Sequence, residues 1–270
     1  MKFSHYAMGT TFEIFIAGQE ESYAGSAAKA VFEEIDRLEG ILSRFDPRSD
    51  VGQLIRLKPG QTLQVGIELT ECLELADEVY RLTNGAFDVT VGSLTGNREE
   101  EKTKQTFFGA NRGGLMLDFG GMGKGYALDK SLEILADWDI EHALLHGGTS
   151  TALAIGDSPG ERGSAGKEAG EKGWPVGMAG ERVFLRDMAL SGSGKEVKGE
   201  HILDPKTGEP AAGHRSAWVV HPSAAMADAL STAFIVMQPE EVAEFCRNNP
   251  HIWVKVIEPS GPVCLRRPTF

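Results

Sequence analysis

The chain has 270 residues, 41% apolar and 24% charged, an ordinary globular usage that excludes disorder and collagen. No apolar run reaches the roughly 18 residues of a membrane-spanning helix. The net charge of −12, from 39 acidic against 27 basic residues, argues against a bare nucleic-acid scaffold, which needs a basic face. A phosphate-bearing ligand would therefore depend on local amides, a lysine or a metal.

The N-terminal stretch MKFSHYAMGTTFEIFIAG has no apolar h-region, and no lipid-attachment cysteine lies near it, so the expected location is cytoplasmic, or periplasmic if the chain was trimmed. Residues 11–17 alternate apolar and polar, as a half-buried strand does. Ala27, Ala28, Val31, Phe32, Ile35, Leu38, Ile41 and Leu42 recur at helical spacing, with Ser22 as candidate N-cap. A second helix carries Leu69, Cys72, Leu73, Ala76, Val79 and Tyr80 and stops at Asn84-Gly85. Residues 95–114 read as a polar loop. Leu115-Met116-Leu117 reads as a short strand running into a glycine-rich turn, and a helix with Tyr126, Leu128, Leu132 and Leu135 follows.

Strands are expected at 143–145 and 151–155 around Gly147-Gly148, then at 174–178, 183–190 and 217–221. Residues 157–173 read as a surface insertion within one domain spanning 1–270. Helices are expected over 224–236 and from Pro239, and a closing strand over 251–257. Strands and helices mix without a βαβ rhythm, which makes the fold class α+β. Cys72, Cys246 and Cys264 have no metal-like spacing and read as reduced, mostly buried thiols.

Several segments could carry chemistry. In LDFGGMGKGYALD (117–129), glycines at 120, 121, 123 and 125 let backbone approach a ligand, a helix N-terminus follows, and Lys124 adds a point charge. It is neither a Walker A sequence nor a dinucleotide fingerprint, and a purely structural turn is the competing reading. In MADALSTAF (226–234), Asp228 and Thr232 stand at i and i+4 on one helix face, where a carboxylate and a hydroxyl can reach one hard cation. A back-bonding Thr232 is the structural alternative. In GEHILDPKTGEP (199–210), residues 204–208 signal a turn preceded by His201. TNGAFDVTVGSL (83–94) and Met8-Gly9-Thr10 say little alone.

In this order, MGTTFEI (8–14), LSRFDPRSDVGQL (42–54), TNGAFDVTVGSL, LDFGGMGKGYALD, HILDPKTGEP (201–210) and ADALSTAFIVM (227–237) resemble the ApbE family of FAD:protein FMN transferases across nearly the whole chain. The resemblance implies an ApbE-like α+β fold related to the tunnelling folds, with mixed sheets, packed helices and an FAD cleft. It implies Mg²⁺-dependent transfer of FMN from FAD to a Thr or Ser hydroxyl of an acceptor flavoprotein, with release of AMP. The alternatives are an FAD pyrophosphatase and a non-catalytic FAD-binding protein.

By motif position, the resemblance places Met8, Phe45, Ala86, Phe87, Asp88, Asp118, Lys124 and Ile202 at the FAD site. It places the metal on Asp228, Thr232 and the carbonyl of Gly121. Chemical reasoning makes His201 the base that activates the acceptor hydroxyl, with Asp228 as the alternative. The chain departs from the family pattern in four places: Phe45 stands where many relatives have Tyr, Val89 and Ser93 where Pro is common, and Thr149-Ser150-Thr151 where many have Asp after the glycines. The stretch between Leu94 and Leu117 is also short.

Overall fold

The computed structural model describes residues 1–58, 60–90, 115–159, 172–194, 202–211 and 213–258, together with the backbone of 109–110 and 261–264. The expected insertion lies mostly outside these residues, as do most of the expected loop at 95–114, the side chain of Cys264, and His201. Cys72 and Cys246 are buried.

Strands β1 (Lys2–Ala7) and β2 (Thr10–Ile16) form a hairpin through Met8 and Gly9, whose φ angles of 50° and 71° suit the right-handed twist of a tight hairpin. Helix α1 (Glu21–Leu42) buries Ala24, Ala28, Val31, Ile35 and Leu38 on the face that the spacing predicts. Ser22 is not its cap. The Ala24 amide bonds to the Glu20 carbonyl, so the helical ladder opens before Ser22 and places Ser22 in the first turn. The short α2 (Asp50–Leu54) is capped by the Ser49 hydroxyl on the Gly52 amide at 2.8 Å. Helix α3 (Ile67–Leu82) ends as expected at Asn84-Gly85, both at positive φ, with the Gly85 amide on the Tyr80 carbonyl at 2.8 Å. Strands β3 (Thr62–Leu63) and β4 (Gly109–Ala110) pair on their own.

Residues 115–117 form no strand. Their run ends where the Asp118 amide bonds to the Val89 carbonyl at 2.7 Å, which ties two loops together. Helix α4 (Gly123–Asp137) follows, then β5 (Ala143–Gly147) and β6 (Thr151–Ile155). The strand expected at 183–190 is two strands, β8 (Glu181–Leu185) and β9 (Met188–Gly194), because the chain turns at Asp187 with φ at 53°. Strand β7 (Trp174–Met178) precedes them, and β10 (Ser216–His221), helix α5 (Ala224–Val236), helix α6 (Pro239–Asn248), β11 (Trp253–Glu258) and β12 (Gly261–Cys264) complete the order.

Eight strands form one sheet in the order β1-β2-β5-β6-β9-β10-β11-β12, with every neighbouring pair antiparallel. The helices and antiparallel sheet make the fold α+β. Alternation along the strands sends Leu145, Leu153, Ala189 and Val219 into the core shared with the helices. Leu144, Ala152, Leu190 and Val220 face the other way, against Trp174, Val176 and Leu185 of the β7–β8 hairpin. Helix α5 is buried almost all round, between the sheet and α4. A helix so enclosed can hold a charged residue only if that residue is paired. Among the described residues, no helix is long and apolar enough to cross a membrane.

Candidate active site

The charged residue on α5 is Asp228, only 2% exposed. Both of its carboxylate oxygens have donors. Oδ1 accepts from Ser191 Oγ on β9 at 3.0 Å and from Thr151 Oγ1 on β6 at 3.3 Å. Those two hydroxyls are themselves 3.0 Å apart. Oδ2 accepts from Lys124 Nζ at 3.2 Å and from the Gly125 amide at 3.3 Å, both in the first turn of α4. Burying a carboxylate costs several kcal/mol after relaxation, and these donors offset that cost.

One turn along α5, Thr232 Oγ1 donates to the Asp228 carbonyl at 3.1 Å, the back-bond open to a helical threonine. Its lone pairs stay available, and Ser193 Oγ lies 3.3 Å away. Gly121 packs beside it: a Cβ added there would stand 3.2 Å from Thr232 Oγ1 and 3.1 Å from the Phe87 ring, so glycine allows the backbone this close.

The glycine-rich turn is more inward-looking than its composition suggests. The Gly120 amide bonds to Asp118 Oδ1 at 2.8 Å, the Gly123 amide to the Phe119 carbonyl at 2.7 Å, and the Gly125 amide to Asp228. Gly125 serves helix packing as well: an added Cβ would stand 2.2 Å from the Ala224 carbonyl oxygen. The cationic contribution of this turn to an anionic ligand therefore falls on Lys124, whose Nζ also reaches the Gly120 carbonyl at 3.3 Å.

A second group adjoins the first through Gly120. Asp118 Oδ2 pairs with Arg44 Nη1 at 2.9 Å, and the Arg44 guanidinium stacks 4.8 Å from the centroid of Phe45. Phe45 is 79% exposed, so its ring offers a stacking surface at the end of α1. Ala86 and Phe87, in the loop after α3, are buried, and Asp88 Oδ1 takes both the amide and the hydroxyl of Thr90, at 2.9 and 2.7 Å. Met8 in the β1–β2 turn and Ile202 pack at the edge of the main core. Ile202 leads into the turn expected at residues 204–208, where the Gly208 amide bonds to the Asp204 carbonyl at 2.7 Å with Gly208 at positive φ.

The structure thus brings together Gly121, Lys124, Asp228 and Thr232, with Phe87 against Gly121 and Asp118 one glycine away. Three polar participants were not anticipated: Ser191, Thr151 and Arg44. A fourth is Asp129. Its carboxylate takes the Ser223 hydroxyl at 2.7 Å and the Ala224 and Ala225 amides at 2.7 and 3.0 Å, locking α4 onto the N-terminus of α5. Burial pushes the Asp129 carboxyl above the ordinary range, the hydrogen bonds opposing that rise.

A carboxylate, a hydroxyl and a backbone carbonyl are hard oxygen donors of the type that Mg²⁺ takes. Among the described residues, no group of three or more His, Cys, Asp or Glu side chains could hold a metal. One carboxylate fits a cation that completes its shell with phosphate and water oxygens.

Helices over one face of an antiparallel sheet, with a buried carboxylate, a hydroxyl and a lysine at one helix crossing, define an α+β protein whose site suits a hard cation beside an anionic ligand. The ApbE family profile matches residues 8–254, and the chain belongs to the ApbE family. It is 26% identical over 276 aligned positions to the FAD:protein FMN transferase of Chlamydia pneumoniae, covering 86% of this chain and 84% of that protein. A shorter match, to the FAD:protein FMN transferase of Treponema pallidum, is 31% identical over 170 positions and covers 56% of this chain and 46% of that one. Among solved structures, the ApbE protein of Thermotoga maritima superposes with a TM-score of 0.77 at 27% identity, over 97% of this chain and 95% of the other. The flavin transferase ApbE of Vibrio cholerae gives 0.78 at 20% identity over the same shares, a likeness of fold.

Proposed function

We propose that this chain transfers FMN from FAD to a Thr or Ser hydroxyl of an acceptor protein, with Mg²⁺, and releases AMP. The observation that carries the reading is the meeting of Asp228, Thr232, Gly121 and Lys124 at the α4–α5 crossing of an ApbE-family chain. Asp228, Thr232 and the Gly121 carbonyl would hold the cation. When bound, Mg²⁺ supplies Lewis acidity and charge neutralisation at the phosphates. Lys124 contacts the pyrophosphate as a point charge. Phe45 offers its face to an aromatic ring of the dinucleotide, while Met8, Ala86, Phe87, Asp88, Asp118 and Ile202 shape the remainder of the cleft.

The acceptor hydroxyl attacks the flavin-side phosphorus. The new O–P bond forms as the P–O bond to AMP breaks, AMP departs with that electron pair, and the hydroxyl proton passes to a base. His201 is that base. Asp228 suits the role less, because both of its oxygens already accept donors.

The test is AMP release from FAD, in Mg²⁺ and in EDTA, with and without a flavodomain peptide carrying an acceptor Thr. Release that requires both Mg²⁺ and the peptide supports the transferase. Release without the peptide makes the chain an FAD pyrophosphatase, and retained FAD with no release makes it a binding protein. His201→Ala should lower the rate and spare FAD affinity; a collapse of affinity would remove His201 from the base role.

A further inference from the structure

We infer that Lys124 holds the cation's place on Asp228 until a nucleotide pyrophosphate draws it away, so that divalent cation and nucleotide load together. This rests on the reading of Asp228 as the cation's ligand. The Asp228 carboxylate is pinned from behind: Ser191 and Thr151 occupy Oδ1, which leaves Oδ2 as the oxygen facing the α4 turn. The ammonium of Lys124 sits on that oxygen and also on the Gly120 carbonyl, a positive charge between two hard oxygens. The Lys124 side chain is 15% exposed and that of Asp228 3%, so solvent screens the pair little.

A divalent cation arriving at Oδ2 meets a like charge in a poorly screened pocket, and repulsion there weakens its binding to the free protein. The ammonium is nevertheless held loosely. Its 3.2 Å contact is longer than the roughly 2.7–2.9 Å of a tight charge-assisted bond. It springs from the first turn of α4, with Gly147 alongside: a Cβ added at Gly147 would lie 3.5 Å from Lys124 Cβ. An anionic pyrophosphate at this turn gives the ammonium a new partner and leaves Oδ2 with only the Gly125 amide, so that a lone pair of this oxygen is open to the cation. By linkage, the cation then tightens the nucleotide by the same factor.

The test is Mn²⁺ binding to the full chain in metal-free buffer, with free Mn²⁺ read by electron paramagnetic resonance, for wild type, Lys124→Gln, Lys124→Arg and Asp228→Asn. ADP is the nucleotide probe, with its own Mn²⁺ binding subtracted from protein-free controls. Gln keeps a donor for Asp228 while removing the charge. Without ADP, Lys124→Gln should bind Mn²⁺ about tenfold more tightly than wild type, within the roughly 5–150-fold range of known couplings. Lys124→Arg should behave as wild type. ADP should tighten Mn²⁺ on wild type and do so much less on Lys124→Gln.

Equal or weaker binding by Lys124→Gln, or binding to neither protein, overturns the inference. Should Lys124→Gln fail to fold, Lys124→Met replaces it under the same criteria, and the wild-type arm alone suffices to overturn: no tightening by ADP means no placeholder. Asp228→Asn separates the two readings. If it binds Mn²⁺ as wild type does, the cation site itself is wrong and the inference falls with it. If it loses Mn²⁺ while Lys124→Gln gains nothing, only the placeholder role is lost.

Discussion

Asp129→Ala tests whether the α4–α5 register sets the site. Asp129 stands on α4, and its carboxylate accepts from Ser223 Oγ, the Ala224 amide and the Ala225 amide at 2.7, 2.7 and 3.0 Å. Alanine leaves two amides of a helix start without an acceptor, at about 1–3 kcal/mol each. Two effects reduce the loss. Ser223 Oγ still caps the Met226 amide at 3.2 Å, and the ionised carboxylate no longer has to be buried. The net expectation is about 3 kcal/mol, or a fall in melting temperature of roughly 6–12 °C for a protein of this size. Asp129→Asn keeps one acceptor oxygen and should lose about half as much.

The functional consequence follows from where the bonds lie. Asp228 is one turn beyond the clamped amides, and Lys124 is on the helix that clamps them, so a slip between α4 and α5 separates the pair. Thermal melts by circular dichroism read the first effect, and Mn²⁺ affinity at 10 °C, where the variant is folded, reads the second. A melting temperature lowered by less than about 2 °C would sink the energetic argument. A large drop with unchanged Mn²⁺ affinity would sink the claim that register sets the site.

Ser191→Ala and Thr151→Val each remove one donor from Asp228 Oδ1 and should each cost about 1–2 kcal/mol of stability by urea titration; because either hydroxyl still serves that oxygen when the other is gone, the double variant, which leaves Oδ1 without either donor, should lose more than the sum, and strict additivity would show that they act separately. Gly125→Ala drives a Cβ into the Ala224 backbone, which no rotamer change relieves, and should cost about 3 kcal/mol or more, whereas Gly40→Ala in α1, with open space around it, should stabilise by about 0.5–1 kcal/mol; similar melting shifts for the two would refute the packing argument. Burial holds the imidazoles of His146 and His221 below their ordinary value, so the unfolded chain binds protons that the folded one does not; stability from these groups is present above about pH 6.5 and lost as pH falls through the folded value. The urea midpoint of wild type should therefore drop more between pH 7.5 and pH 5.5 than that of His146→Gln, and parallel drops would exclude His146 as a source.

Much of this architecture was legible locally. Apolar spacing located α1, α3, α4 and α5, and Asn84-Gly85 and Gly147-Gly148 marked real turns. What escaped depends on partners distant in the chain. The strand expected at 183–190 ends before Ser191-Gly192-Ser193-Gly194, whose small and glycine-rich composition carries no strand signal of its own. Yet β9 runs on to Gly194, and Gly192 is required there because a Cβ would stand 2.6 Å from the Trp218 ring on β10. Asp129 read as the tail of a motif, since its partners lie near residue 224, on a helix whose position no local spacing reveals.

The site itself divides along a physical line. Asp228 is legible from its i, i+4 spacing to Thr232, and it also breaks a rule: a carboxylate in a largely apolar helix that is buried almost all round is a conflict, and such conflicts mark function. Ser191 and Thr151 break none. A small hydroxyl fits a buried strand position and can satisfy itself on nearby backbone, so nothing in its own neighbourhood signals that it is aimed at a carboxylate. The donors around a buried charge are therefore harder to read than the charge. Asp228 nonetheless announces that donors must exist, because an unpartnered buried carboxylate would cost several kcal/mol. Given the helix, the question the sequence leaves open is which strands face it. The order β6-β9-β10 beneath α5 answers it, and selects Thr151 and Ser191 from among the chain's many hydroxyls.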